Sequence, residues 1–174
     1  LVSRDDELAK QVREEDHQID MDEVRIDEHC QELLALHHPE ASDLRLVTMV
    51  FKINSDLERI GDLAVNISKR TRELLKEPLL KPLIDLPRMA EMTQAMVADS
   101  LKAFVRRDAQ LAREICARDD EVDELNVQIF RELLTYMMED PHSIQRSLGL
   151  IMVGRYLERM ADHATNIAED VVYL

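Results

Sequence analysis

The sequence predicts an all-α protein built from two copies of one helical unit, and three observations support this fold class. The 174 residues contain only 3 Gly and 5 Pro, so long, uninterrupted helices are expected. Leu, Ala, Met, Glu and Arg are frequent, and their side chains lose little freedom in a helix. An internal repeat, described below, shows that the helical unit occurs twice.

Prolines divide the chain into helical segments, because proline interrupts a helix anywhere except in its first turn. Asp140 followed by Pro141 is typical of an N-cap residue and the first helical position. Between Leu46 and Ile67, apolar residues recur at spacings of three and four, which predicts a helix with one face toward a core. The predicted helices cover residues 5–36, 43–76, 88–107, 108–138 and 142–173.

The repeat is clearest in the twelve residues 56–67, which match residues 156–167 at seven positions. The shared core is Leu-Glu-Arg-Ile-Gly-Asp at 57–62 and Leu-Glu-Arg-Met-Ala-Asp at 157–162. A second match relates residues 4–20 to residues 107–123 at an offset of 103. The two halves of the chain are therefore copies of the same unit.

The repeat also defines the predicted domains. Residues 1–77 form the first repeat, residues 78–87 form a Pro-rich linker, and residues 88–174 form the second repeat, a three-helix bundle. The first helix of the second repeat has no counterpart before Arg4. A hairpin of two helices would leave an apolar stripe exposed. We therefore expect that the first bundle lacks its first helix in this sequence, and that a partner chain covers the face if the helix is truly absent.

Each repeat contains two acidic pairs at spacing i, i+4, and such residues lie one turn apart on the same face of a helix. In so acidic a chain, roughly seven pairs of this kind are expected by chance, so the spacing alone is weak evidence. Placement is more informative. Helices joined by a short turn run antiparallel, and in both repeats the two pairs lie about 20 residues before and after the predicted turn. The four carboxylates of each half should therefore lie at the same height along their hairpin.

Carboxylates that converge repel one another unless they are protonated or bridged by a cation. Oxygen ligands favour Mg, Mn, Ca or iron over a structural Zn site, and carboxylates can bridge several ions. The competing interpretation is that these acids are exposed and pair with Arg59, Arg159 or other bases. The candidate metal ligands are Asp16, Asp20, Glu58, Asp62, Asp119, Asp123, Glu158 and Asp162, with Asn66 and Asn166 as possible additions.

The composition limits the classes of partner. A formal net charge of −14 disfavours binding to nucleic acid or anionic lipid. The two cysteines form neither a CxxC motif nor a Cys/His cluster, which fits a reducing cytoplasm. No stretch approaches the length of a membrane-spanning helix and no signal peptide is recognisable. We therefore predict a cytoplasmic protein that is peripheral to a membrane at most.

The two Leu-Glu-Arg motifs, each followed by Ala-x-Asn-Ile, resemble the PhoU family of phosphate-transport regulators. Three further stretches resemble the same family, namely residues 41–45, 119–123 and 132–141. This resemblance implies PhoU-type three-helix bundles and metal clusters held by E(D)xxxD motifs, which fall on the eight acids named above. Iron, manganese, magnesium and zinc are the candidate ions.

The resemblance also implies a function. A PhoU-type protein would repress phosphate uptake and the phosphate-starvation response by acting on a phosphate ABC transporter ATPase and a sensor histidine kinase, and a homodimer is expected. The chain has no Gly-rich phosphate loop and no basic cluster, so we do not expect it to bind phosphate directly.

Two alternatives remain. A di-metal carboxylate oxidoreductase usually requires two Glu-x-x-His pairs. Only Glu14 with His17 has this spacing on a predicted helix, because Pro141 interrupts Glu139 and His142. We therefore expect no enzymatic activity. The second alternative is a purely structural helical scaffold without a functional metal.

Overall fold

The computed structural model describes residues 1–37 and 39–174, and its described elements are helical. Within these residues five α-helices follow one another, and a short 3₁₀ helix at Pro141–Ser143 precedes the last of them. The helices are α1 (Asp6–His37), α2 (Ala41–Leu74), α3 (Asp85–Arg106), α4 (Ala109–Glu139) and α5 (Ile144–Val172). The all-α prediction is confirmed, and the predicted boundaries lie within three residues of these ends.

The second repeat is a three-helix bundle, in which α3, α4 and α5 all contact one another. Its core is aliphatic and rich in methionine, as Met89, Met96, Ile115 and Leu133 are fully buried. Helix α3 begins at Asp85, inside the segment predicted as a linker, because Pro87 is tolerated in the first helical turn.

The first repeat is the hairpin of α1 and α2, and α2 also packs against α5. Among the described helices, α1 contacts α2 alone. The effect of this smaller number of neighbours on burial is seen at equivalent positions of the repeat. Ile19 on α1 is 40% exposed, whereas Val122 on α4 is fully buried, because α3 packs against α4. The first repeat therefore has a smaller core than the second.

The internal repeat extends to the backbone that starts α1 and α4. Arg4 and Arg107 both adopt a left-handed conformation with φ 52°. Each is followed by an aspartate whose Oδ1 accepts hydrogen bonds from two backbone amides of the first helical turn, Asp5 before α1 and Asp108 before α4. These caps satisfy amides that have no partner within their helix, so equivalent residues begin both hairpins in the same way.

The turn between α4 and α5 has the predicted N-cap residue followed by proline. The Asp140 side chain accepts a hydrogen bond from the amide of His142, with Pro141 at the start of the 3₁₀ helix. This turn sends α5 back along α4, which sets the level of the acidic residues on the two helices. None of the helices in the described residues is both long enough and apolar enough to cross a lipid bilayer.

Candidate functional site

The second repeat brings four acidic residues of α4 and α5 together, here called the second acidic cluster: Asp119, Asp123, Glu158 and Asp162. Burial raises the pKa of Asp119, and the charges of Asp162 and Asp123 raise it further. The pKa of Asp123 is raised by burial and then by Asp162. Since α4 and α5 contribute two residues each, these charge interactions cross from one helix to the other, as expected for acidic pairs at the same height on the hairpin.

Glu158 completes this arrangement. Its pKa is raised by burial and then by Asp162, Asp123 and Asp119, while Arg155 acts in the opposite direction. Asp119, Asp123 and Glu158 would therefore each be more stable with a proton or another positive charge close by. A bound cation would supply that charge without requiring protonation.

The first repeat contains the equivalent first acidic cluster, which consists of Asp16, Asp20, Glu58 and Asp62. The pKa of Asp16 is raised by burial and then by Asp20 and Asp62, and is lowered by Lys69. The pKa of Glu58 is also raised by burial and by Asp62. The arrangement of carboxylates predicted from the repeat thus occurs in both hairpins.

Gly61 explains how α1 and α2 approach each other at the first acidic cluster. A Cβ atom at this position would lie 3.2 Å from Oδ1 of Asp16 and 3.3 Å from Cδ1 of Ile19. The missing side chain therefore leaves room for the Asp16 carboxylate against the backbone of α2. The equivalent residue of the second repeat is Ala161, which is fully buried.

All four acidic pairs share one pattern of exposure. The first residue of each pair is half-buried and the second is exposed. The half-buried residues are Asp16, Glu58, Asp119 and Glu158. Each cluster therefore forms a shallow acidic surface with two deeper carboxylates and two at the rim, which leaves it open to an ion from solvent.

The two clusters differ in their ion pairs. Arg59 lies 3.5 Å from both Glu58 and Asp62, as the competing interpretation of exposed ion pairs predicts. In the second acidic cluster, no carboxylate has a basic partner within 4.0 Å among the residues described. The Arg59 contacts are largely exposed and should contribute little to stability.

The second acidic cluster contains a buried oxygen without a hydrogen bond. Oδ1 of Asp119 is inaccessible to solvent and has no hydrogen-bond partner in the described chain. Buried polar atoms are nearly always paired, so this oxygen is free to accept a ligand. The donors in both clusters are carboxylate oxygens, which suit Mg²⁺, Mn²⁺ and iron. The residues present therefore have the donor chemistry that such a cation requires.

The side chains do not form a ready coordination sphere. Within residues 1–37 and 39–174, no group of three or more His, Cys, Asp or Glu side chains is gathered closely enough to hold a metal ion. Mutual repulsion is the physical reason to expect carboxylates to spread apart when no cation joins them. The assignment of the eight acids as metal ligands remains a prediction.

The two asparagines were predicted as possible further ligands. Asn66 is half-buried. Asn166 lines a polar cavity of about 430 Å³ between α2 and α5, together with Lys52 and Asp56. This places Asn166 at the boundary between the repeats. Its neighbour Thr165 instead acts on Asp119, whose pKa it lowers through its hydroxyl, and the sequence interpretation did not identify Thr165.

The histidine pairs of the oxidoreductase alternative lie on the surface. Glu14 and His17 are both exposed on α1. His142 is almost fully exposed and contacts Asp140 in the turn before α5. His17 is the sequence neighbour of Asp16 but is exposed, and His142 lies in the turn before α5, so neither supports a di-metal oxidase site of the Glu-x-x-His type.

Comparison with known proteins gives a consistent result. The family model described as PhoU domain matches residues 1–71 and 86–171. A curated protein of Aquifex aeolicus, named phosphate-specific transport system accessory protein PhoU homolog, is 47% identical over 168 residues, covering 97% of this chain and 76% of that protein. The protein of the same name from Pseudomonas aeruginosa is 45% identical over 175 residues, covering all of this chain and 72% of its own length.

Solved structures agree with the sequence comparison. The crystal structure of PhoU from Pseudomonas aeruginosa superposes with a TM-score of 0.96 at 45% identity, over 99% of this chain and 83% of that chain. The structure of the phosphate transport system regulatory protein PhoU from Streptococcus pneumoniae has a TM-score of 0.90 at 35% identity, over 98% of this chain and 80% of that one. The resemblance inferred from the two Leu-Glu-Arg motifs is thus confirmed, and the chain belongs to the PhoU family.

Proposed function

We propose that this chain is a metal-binding regulatory adaptor of a phosphate transport system. In this role it restrains phosphate uptake and phosphate-starvation signalling, acting on a phosphate ABC transporter ATPase and a sensor histidine kinase. The relatives named as phosphate-specific transport system accessory proteins support the transport role. The resemblance to the PhoU family supports the choice of partners, a homodimer, a cytoplasmic location and the absence of catalysis.

The observation that carries the metal-binding part is the duplication of the acidic cluster. Each hairpin carries four of these carboxylates, two on each helix. Burial and neighbouring acids raise the pKa values of Asp16 and Glu58 in the first repeat and of Asp119 and Glu158 in the second. Acidic residues that only keep the surface soluble would not need to recur at equivalent positions of both hairpins. A cation such as iron, manganese, magnesium or zinc would neutralise each cluster and join its two helices. The direct ligands would be the eight carboxylates of the two clusters.

Elemental analysis of the purified protein tests this proposal. Protein that has been stripped with a chelator, incubated with Mn²⁺ and passed through gel filtration should retain metal. Replacing Glu58 and Asp62 by Ala should abolish retention in the first repeat only, and replacing Glu158 and Asp162 should do so in the second. The control is Glu28→Ala with Glu32→Ala, an exposed acidic pair with the same spacing on α1, which should retain all the metal.

Failure to retain Mn²⁺, iron or zinc would contradict metal binding and would favour the purely structural scaffold. A separate assay tests regulation. Cells that lack this protein should take up excess phosphate in phosphate-replete medium, and the unaltered chain should restore normal uptake. Uptake that is unaffected by loss of the protein would contradict the regulatory role, whatever the metal content.

A further inference from the structure

The two acidic clusters differ at one position that lies on the same helical face as the ligands. Thr165 follows Glu158 by seven residues and Asp162 by three, so the three side chains share one face of α5. The equivalent residue of the first repeat is Val65, which is buried. Threonine and valine have nearly the same shape, so the difference between the repeats is a hydroxyl group in place of a methyl group.

Thr165 on α5 and Asp119 on α4 each have a buried side-chain oxygen. Both Oγ1 of Thr165 and Oδ1 of Asp119 are inaccessible to solvent, and neither makes a hydrogen bond of normal geometry in the described residues. The hydroxyl is nevertheless near enough to lower the pKa of Asp119, against the larger effect of burial. A hydroxyl donor and a carboxylate acceptor, both buried and both without a partner, would satisfy one another if the carboxylate shifted.

A second difference separates the two clusters. Arg59 contacts Glu58 and Asp62 at 3.5 Å in the first acidic cluster, so a cation entering there competes with a guanidinium. The four carboxylates of the second acidic cluster have no such partner in the described residues. The second acidic cluster therefore has both a buried donor hydroxyl and carboxylates that are free of ion pairs.

We propose that Thr165 is a positioning residue, whose hydroxyl donates a hydrogen bond to Asp119 and makes the second acidic cluster the tighter of two cation sites. This inference rests on the proposed metal binding. Hydrogen bonds from neighbouring residues fix the orientation of metal-ligating carboxylates, and removing them typically weakens metal binding by about 10-fold to 100-fold. The first acidic cluster, with Val65, lacks this contribution.

The test uses Mn²⁺ binding to the full chain in which the first acidic cluster is inactivated by Glu58→Gln and Asp62→Asn. In this background, Thr165→Val should weaken Mn²⁺ binding by about 10-fold or more. Thr165→Ser keeps the hydroxyl and should bind nearly as tightly as the parent. The metal-free stability of Thr165→Val should be unchanged or higher, because the substitution removes a buried hydroxyl without a partner.

Opposite changes in affinity and stability distinguish positioning from packing, since a residue needed only for packing would alter stability without a specific loss of Mn²⁺ affinity. If Thr165→Val binds Mn²⁺ as tightly as the parent, the inference is wrong while the metal-binding function stands. If the parent itself takes up no Mn²⁺, the proposed function fails and this inference fails with it.

The converse substitution uses the repeat as its own control. Val65→Thr is made in a chain whose second acidic cluster is inactivated by Glu158→Gln and Asp162→Asn. Placing a hydroxyl beside Asp16 should strengthen Mn²⁺ binding in the first acidic cluster. An unchanged affinity would show that the hydroxyl does not account for the difference between the two sites.

Discussion

Nδ1 of His163 lies 2.7 Å from Oδ1 of Asp56, and this contact joins α5 to α2 across the boundary between the repeats. Both side chains are largely buried, at 19% and 17% exposure. In the repeat, His163 corresponds to Leu63 and Asp56 corresponds to Tyr156. Leucine cannot form this polar contact, so the contact is not duplicated. It is therefore a specific addition to an otherwise duplicated interface.

Removing either partner of this contact should destabilise the protein. We expect His163→Ala and Asp56→Ala each to cost about 1–3 kcal/mol, because the remaining side chain would be left buried without its partner. The double variant should cost less than the sum of the two, as measured by denaturant unfolding. Lys52→Ala removes an exposed α2–α5 ion pair with Asp170 and should change stability by less than about 1 kcal/mol. Strict additivity would contradict a direct interaction.

Asn54 should control the local stability of α1. This residue of α2 is 4% exposed, and its amide donates to the backbone oxygen of Glu23 at 2.9 Å and to Oδ1 of Asp27 at 2.8 Å. Since α1 packs on α2 alone among the described helices, Asn54→Ala should increase hydrogen exchange throughout α1 and leave α4 protected. The exposed neighbour Ser55→Ala is the control, and equal effects of the two substitutions would refute this role.

The acidic clusters should make the metal-free protein less stable as the pH rises. The folded state raises the pKa of Asp119, Asp123 and Glu158, so it binds protons more tightly than the unfolded chain does. Stability should therefore fall between about pH 4, the ordinary range of these groups, and neutral pH. Denaturant unfolding at several pH values in the presence of a chelator measures this effect.

Asp123→Asn should reduce the loss of stability that is expected at neutral pH. Removing one of several like charges should raise the free energy of unfolding at pH 7 by roughly a few tenths of a kcal/mol, with no gain at pH 4. Glu121→Gln, an exposed acid on the same helix, provides the comparison. A uniform gain at both pH values would show that the substitution acts through something other than carboxylate repulsion.

Gly61→Ala should separate stability from metal binding in the first repeat. Alanine favours the helix by about 1 kcal/mol over glycine, and the new methyl group would meet Asp16 and Ile19 at 3.2 and 3.3 Å. Both contacts involve the ends of side chains at the surface of α1, which can shift. We expect metal-free stability to rise by up to about 1 kcal/mol and Mn²⁺ binding to weaken in the first acidic cluster only. Unchanged binding would show that the position of Asp16 is unimportant.

Local sequence signals were sufficient to predict the helices, the repeat and the matching heights of the acidic pairs. Helix periodicity and proline positions are local signals, and an antiparallel hairpin places residues at equal distances from its turn side by side. The similarity of residues 57–62 and 157–162 was sufficient to identify the family. The oxygen chemistry of the predicted ligands also follows from residue identity alone.

The details that distinguish the two halves arise from tertiary packing and could not be predicted from the sequence. The pairing of Asp56 with His163 depends on how α2 meets α5, and no local pattern encodes the contact between helices that are far apart in sequence. The buried, unpaired oxygens of Asp119 and Thr165 depend on burial by α4 and α5 together. The exposure of Ile19 reflects which helices surround α1. Burial and neighbours, which arise from packing, thus turn two similar sequences into two different sites.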